Sequence, residues 1–256
     1  MAYRRSSYAR KATHSRQKRA RFNQVRMSRA GYGASMRTKF ARNLMPTSAM
    51  AEIKTVDGLN THAAVNTLTL NTTGLVTPVN LIQVGSGFNN RVGRKIELQS
   101  IHLLGVVTQT GHTTIVNDYA RILIVYDRQT NGATPAFTDI LQNYDQSTTA
   151  VSGPFCGLNP DERERYLILA DIHLSLPAVV AASGLTGASD GAVRSFNINR
   201  FVKLRNLQTH YKADSSPAVV GDIATGALHI VTVGSLASGS EGFQFTGTWR
   251  IRYKDT

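Results

Sequence analysis

Phe243-Gln-Phe-Thr-Gly-Thr-Trp-Arg-Ile-Arg-Tyr-Lys254 alternates without a break. Phe243, Phe245, Gly247, Trp249, Ile251 and Tyr253 fall on one face, and Gln244, Thr246, Thr248, Arg250, Arg252 and Lys254 fall on the other. Side chains of an extended strand point to opposite faces at each step, so this stretch reads as a long strand with one face in a core and one in water. A helix would spread the same apolar residues around its whole circumference. Gly247, the apolar-face member with no side chain, marks a kink or a close approach of two backbones.

The same period recurs upstream. Residues 163–176 place Tyr166, Ile168, Ala170, Ile172, Leu174 and Leu176 in one phase, and residues 193–205 do so with Phe196, Ile198, Val202 and Leu204. Arg121-Ile-Leu-Ile-Val-Tyr126 is apolar and β-branched without alternation, as expected of a strand covered on both faces. Residues 94–107 alternate from Ile96 and Leu98, then switch phase to Ile101 and Leu103, which predicts a β-bulge near Ser100. Further strands are expected at 62–71, 75–84 and 225–234, and a short helix at 136–143. Long connections rich in Gly, Asn, Asp, Ser and Pro separate these runs. About eight strands with such connections predict an all-β fold, an eight-stranded antiparallel jelly-roll sandwich, over residues 47–256 as a single domain.

Ahead of this body lies a different material. The first 42 residues hold Arg4, Arg5, Arg10, Lys11, Arg16, Lys18, Arg19, Arg21, Arg26, Arg29, Arg37, Lys39 and Arg42, and no Asp or Glu. Removing those thirteen from the chain's 29 Lys and Arg leaves 16, against 16 Asp and Glu. The net charge of +13 therefore sits in the leader, and the rest is neutral. A block of one sign repels itself, resists folding alone and meets a polyanion. Residues 1–46 are thus expected to form a disordered, nucleic-acid-binding arm, in which residues 16–29 turn helical on binding. Tyr3, Tyr8, Phe22, Tyr32 and Phe40 lie among the cations, where each ring can stack on a base while a neighbouring Arg meets phosphate. Lys18-Arg-Ala-Arg21 with Arg16 also has the composition of a nuclear import signal. A solubilising tail and an organelle presequence are the competing readings of this segment.

Little else reads as chemistry. The seven His residues are scattered, with no metal-ligand spacing, and the single cysteine, Cys156, reads as a small buried side chain. Neither catalytic residues, a metal site nor a cofactor is expected. Gly85-Ser-Gly87-Phe-Asn-Asn90 lacks the Lys-Ser/Thr of a phosphate-binding loop and reads as a turn. Asp161-Glu-Arg-Glu-Arg165 reads as a salt-bridged cluster before it reads as an acid pair or a calcium site. Arg250, Arg252 and Lys254, and Arg91, Arg94 and Lys95, are expected either to extend a basic surface or to form interface salt bridges. No segment is long and apolar enough to span a membrane.

The ordered set Phe88-Asn-Asn-Arg91-Val-Gly93-Arg94-Lys95-Ile96, Arg121-Ile-Leu-Ile-Val-Tyr126-Asp127-Arg128-Gln129, Phe137-x-Asp139-Ile140-Leu141, Arg163 to Leu169 and Trp249-Arg250-Ile-Arg252-Tyr253 resembles capsid proteins of circular, Rep-encoding single-stranded DNA viruses, the group of circoviruses and geminiviruses. The resemblance spans nearly the whole chain. It implies an eight-stranded jelly roll, self-assembly into a small icosahedral (T=1) shell, and packaging of single-stranded DNA by an inward arm. It also implies residence in the virion and the host nucleus, and contacts with nuclear import receptors and a cell-surface receptor. Geminivirus coat proteins carry Cys and His residues suggestive of metal binding, a pattern from which this chain departs. Satellite plant-virus capsids share the plan around RNA, so the preference for DNA comes from the resemblance.

Two other classes compete with a capsid subunit. A ribosomal or other cellular RNA-binding protein would also carry a basic tail, but usually with a basic body, whereas this body is neutral. An enzyme built on a jelly roll would need acids or His residues converging in a cleft.

Overall fold

The computed structural model describes residues 52–58, 67–110, 118–144, 150–176, 194–217, 219–236 and 242–256, all within the unit Glu52–Thr256. The basic arm, its expected helix at 16–29 and part of the strand expected at 62–71 lie outside the described residues. So does most of the loops at 183–191 and 235–242.

The strands are β1 (Ile53–Asp57), β2 (Thr67–Leu70), β3 (Leu75–Pro78), β4 (Lys95–Thr110), β5 (Asp118–Asp127), β6 (Asn143–Tyr144), β7 (Ala150–Val151), β8 (Tyr166–Leu176), β9 (Arg194–Tyr211), β10 (Ile223–Thr225), β11 (Ala227–Gly234) and β12 (Gly242–Asp255). One helical turn, α1 (Phe137–Ile140), follows β5. All strand pairs are antiparallel. The large sheet runs β2-β12-β4-β9, with β1 sharing the β12 edge and β10 added beside β9; the small sheet runs β3-β11-β5-β8. Two four-stranded sheets that exchange consecutive strands in this order are a jelly roll. The additions β1, β6, β7 and β10 raise the strand count above the eight of the sequence reading without altering that plan.

The core lies between the sheets. Phe243, Phe245, Trp249, Ile251 and Tyr253 are buried, while Gln244, Thr248, Arg250 and Arg252 are exposed, as the alternation of β12 requires. They meet Ile122, Ile124, Leu228 and Ile230 of the small sheet. Every residue of β11, and every residue of β5 but one, is buried, because the small sheet is covered on its other face as well. There Leu123, Val125, Val231 and Val233 pack against Phe137, Ile140, Leu141, Cys156 and Tyr166.

The phase switch in β4 is a bulge. Opposite β12, Arg252 pairs with Ser100 and Tyr253 with Leu98, so Gln99 is the extra residue. Opposite β9 the irregularity is larger and lies on the other strand: Lys203 pairs with Ser100 but Leu207 with Leu98. Arg205 (φ 49°) and Asn206 (φ 62°) take left-handed backbone there.

Three sequence expectations need correction, the first being that the strand expected at 75–84 stops at Pro78. Residues 163–176 do not keep one phase: the register with β5 slips between Ile168 and Ala170, so Tyr166 and Ile168 join the outer cluster while Ala170 and Leu174 enter the main core. Leu167 and Leu169 are apolar too, so alternation alone could not reveal the slip. Phe196, assigned to the buried face of 193–205, is 42% exposed, near the start of β9 where only β4 flanks it.

Candidate nucleic-acid interface

The thirteen cations from Arg4 to Arg42, including Arg16, Lys18, Arg19 and Arg21 of the import-like stretch, lie outside the described residues. Within the body, the surface with the matching chemistry is the outward face of the large sheet. Cross-strand register sets Arg250, His102 and Phe201 in one row, Thr248, Leu104 and Asn199 in the next, and Arg252, Ser100 and Lys203 on the other side.

The His102 ring meets Asn199 Oδ1 at 2.8 Å through Nε2 and stands edge-on to Phe201 at 6.1 Å. Phe201 is 52% exposed on the open face of the sheet. Arg250 donates two bonds to Asp57, at 2.6 and 2.9 Å, and this hydrogen bonding holds the Asp57 carboxyl below its ordinary value. Arg252 and Lys203 are exposed and form no ion pair among the described residues. Flat rings beside free cations can stack a base and neutralise its phosphate. The sequence reading found Arg250 and Arg252 but missed His102, Asn199 and Phe201. The outward phases of 94–107 and 193–205 were their only trace.

The second basic cluster divides between core and surface, with Arg94 exposed and Lys95 half-buried. Arg91 is fully buried: its guanidinium lies 3.9 Å over the Tyr211 ring and donates to the carbonyls of Ile82, Gly93, Ala213 and Ser215. Arg94 faces Asp214 at 3.3 Å, both exposed.

The acidic cluster resolves into ion pairs. Arg165 grips the buried Asp127 through two bonds of 3.0 and 2.9 Å and approaches Glu162 at 3.9 Å. Asp127 also accepts from the Gln129 backbone N–H at 2.9 Å, the turn chemistry read from sequence. Asp161 accepts from the Tyr144 hydroxyl, which raises the tyrosine pKa. Among the described residues no three His, Cys, Asp or Glu side chains converge as metal ligands. Cys156 is buried, its thiol donating to Val151 O at 3.3 Å. Gly85 to Asn90 is a turn, with Asn90 N–H bonded to Gly87 O.

Comparison with known proteins gives one decisive match. The geminivirus coat protein/nuclear export factor BR1 family matches residues 2–256. No curated protein matches the chain. Among solved structures, VP1 of Trichodysplasia spinulosa-associated polyomavirus in complex with sialylated precision glycooligomers aligns at 8% identity, covering 79% of this chain and 93% of that one, with a TM-score of 0.22. The same VP1 with GM1 oligosaccharide aligns at 10% identity, covering 82% and 94%, with a TM-score of 0.20. Superpositions this loose carry no weight, and the jelly roll rests on strand order alone. The family match holds although the chain has a single cysteine. From residue 2 to residue 256 the chain belongs to the geminivirus coat protein/nuclear export factor BR1 family, and it is a viral coat protein, a structural subunit and not an enzyme.

Proposed function

We propose that this coat protein assembles with copies of itself into a small icosahedral (T=1) shell and packages single-stranded DNA through Arg and Lys of residues 1–46. The observation that carries the reading is the segregation of charge: thirteen cations and no acid in the first 42 residues, against a balanced remainder. A neutral body can pack against its copies without long-range repulsion, while the arms neutralise the cargo. The Arg252–Lys203 face of the large sheet, with Phe201 and His102, supplies a second, folded surface for the same strand. Arg16, Lys18, Arg19 and Arg21 serve nuclear import before assembly, through host import receptors, because they cannot do so while buried against DNA. The outer surface meets a cell-surface receptor.

Purified protein mixed with single-stranded DNA in moderate salt gives closed particles of uniform size by electron microscopy, with DNA protected from nuclease. Deleting residues 1–42 removes the protected DNA. Binding of the intact chain to an oligonucleotide weakens steeply with salt, with a log–log slope approaching about −9 if all thirteen arm cations engage. Monomers under every such condition, or equal protection without the arm, would refute the reading.

A further inference from the structure

The three most exposed large apolar side chains of the described body are Phe155 (66%), Val92 (65%) and Phe88 (60%). Each stands on a loop fixed from beneath by a buried arginine. Arg91 ties the loop of Phe88 and Val92 to four backbone carbonyls, two of them, Ala213 and Ser215, distant in sequence. Lys54 Nζ adds a bond to Asn90 O at 2.9 Å, and the Val92 N–H meets Asp255 at 3.3 Å. Arg121 does the same for the other loop: it donates to Pro154 O and Cys156 O while gripping Asp171 through bonds of 2.9 and 2.7 Å. The Phe155 ring stands edge-on to Tyr119 at 4.9 Å. Beside it is a cavity of about 220 Å³ lined by Tyr119, Pro154, Phe155 and Leu174 together with Ala120, His173 and Ser175.

The two loops lie at opposite ends of the sandwich. The Arg91 loop is bound to the ends of β9 and β12, where Tyr126 and Asp127 finish β5. The cavity sits at the start of β5 and the end of β8. The run from Tyr119 to Asp127 holds them roughly 26 Å apart at ~3.3 Å per residue. No single copy can bring its own Phe88 to its own cavity.

We propose that the Phe88–Val92 loop of one copy docks into the Tyr119–Phe155 cavity of the next, making a head-to-tail contact between coat subunits. This rests on the self-assembly reading and names the surfaces that execute it. An apolar projection at one end and an apolar hole at the other form a heterologous pair, which closes into a ring when the rotation per copy divides a full turn. An icosahedral shell needs such rings about its five-fold and three-fold axes. The cavity is large enough for an aromatic ring. Both loops are tied down by hydrogen bonds before they meet, which lowers the ordering that opposes docking, and an aromatic in an apolar pocket is the usual centre of an interface.

The test uses the full chain with single-stranded DNA, comparing wild type with Phe88→Asp and Ser175→Trp; the first removes the projection and the second fills the hole. Both positions are exposed, so thermal unfolding should match wild type. Each variant is expected to need at least tenfold more protein for half-maximal assembly by light scattering. A photo-crosslinking benzoylphenylalanine at position 88 should give an intermolecular adduct on the peptides containing Pro154 to Cys156 or His173 to Ser175. If wild type assembles and both variants assemble at the same concentration, or the adduct maps elsewhere, the docking is wrong while self-assembly stands. If wild type never leaves the monomer, both fall.

Discussion

His229 is wholly buried in the middle of the small sheet, opposite Pro78 and Val125, and neither ring nitrogen has a hydrogen-bond partner. Burial lowers its pKa from 6.5 to about 4; Asp127 pulls it up and Arg165 pushes it down. Tyr166 of β8, which pairs with Asp127, has its pKa raised by burial and stays neutral. In the unfolded chain His229 takes up a proton near pH 6.5, whereas in the fold it does so only near 4. Stability is therefore full above pH 6.5 and falls as pH drops through that window, by about 3 kcal/mol in all. The carboxyls of Asp57 and Asp171 are held below 3.8, so their contribution is lost only below that value. Urea midpoints at pH 7 and pH 4.5 should differ clearly for wild type and far less for His229→Leu. Equal shifts in both would contradict this account. The strand expected at 225–234 contains His229, but nothing in the sequence shows that its ring is buried without a partner. What sequence could not show is that Arg91 and Arg121 turn inward, because two of the four carbonyls that receive Arg91, and both that receive Arg121, come from segments 122 to 124 residues and 33 to 35 residues away.

At the scale of elements, β12 was the most legible, because one face is core and the other is water along its whole length. Its Gly247 pairs with Gly105 of β4. A Cβ at Gly247 would lie 2.3 Å from Leu104 O and 2.6 Å from Gly105 Cα, and one at Gly105 would lie 2.4 Å from Thr246 O. The Phe245 ring lies against both positions, within 2.8 Å of either added atom, and fills the space that the missing side chains leave. Gly247 was read as a kink or a close approach; it is the close approach. Backbone cannot yield as a flexible side chain does, so Gly247→Val should cost about 3 kcal/mol or prevent folding, read from the denaturant midpoint. A variant as stable as wild type would mean that β4 and β12 can separate locally. The slip in β8 was illegible for the opposite reason: with apolar residues in both phases, either face suits either core.

At the scale of the molecule, the charge boundary and the sandwich were both visible in sequence, since one depends on composition and the other on period. Which strands pair was not, because the partners of β1, β2 and β3 lie far along the chain, in β12 and β11. A fragment of residues 47–256 should keep the β signature in circular dichroism and a cooperative thermal transition, since each interaction described above lies within it. Loss of that signature would show that the leader is part of the fold. The pairing also has a consequence in time. The first three strands find no hydrogen-bonding partner until residues 227–255 exist. At ~5–20 residues per second of translation, β1 waits roughly 10–40 s for β12. A nascent chain thus cannot close its two sheets, or join its neighbours through them, before its own synthesis reaches Asp255.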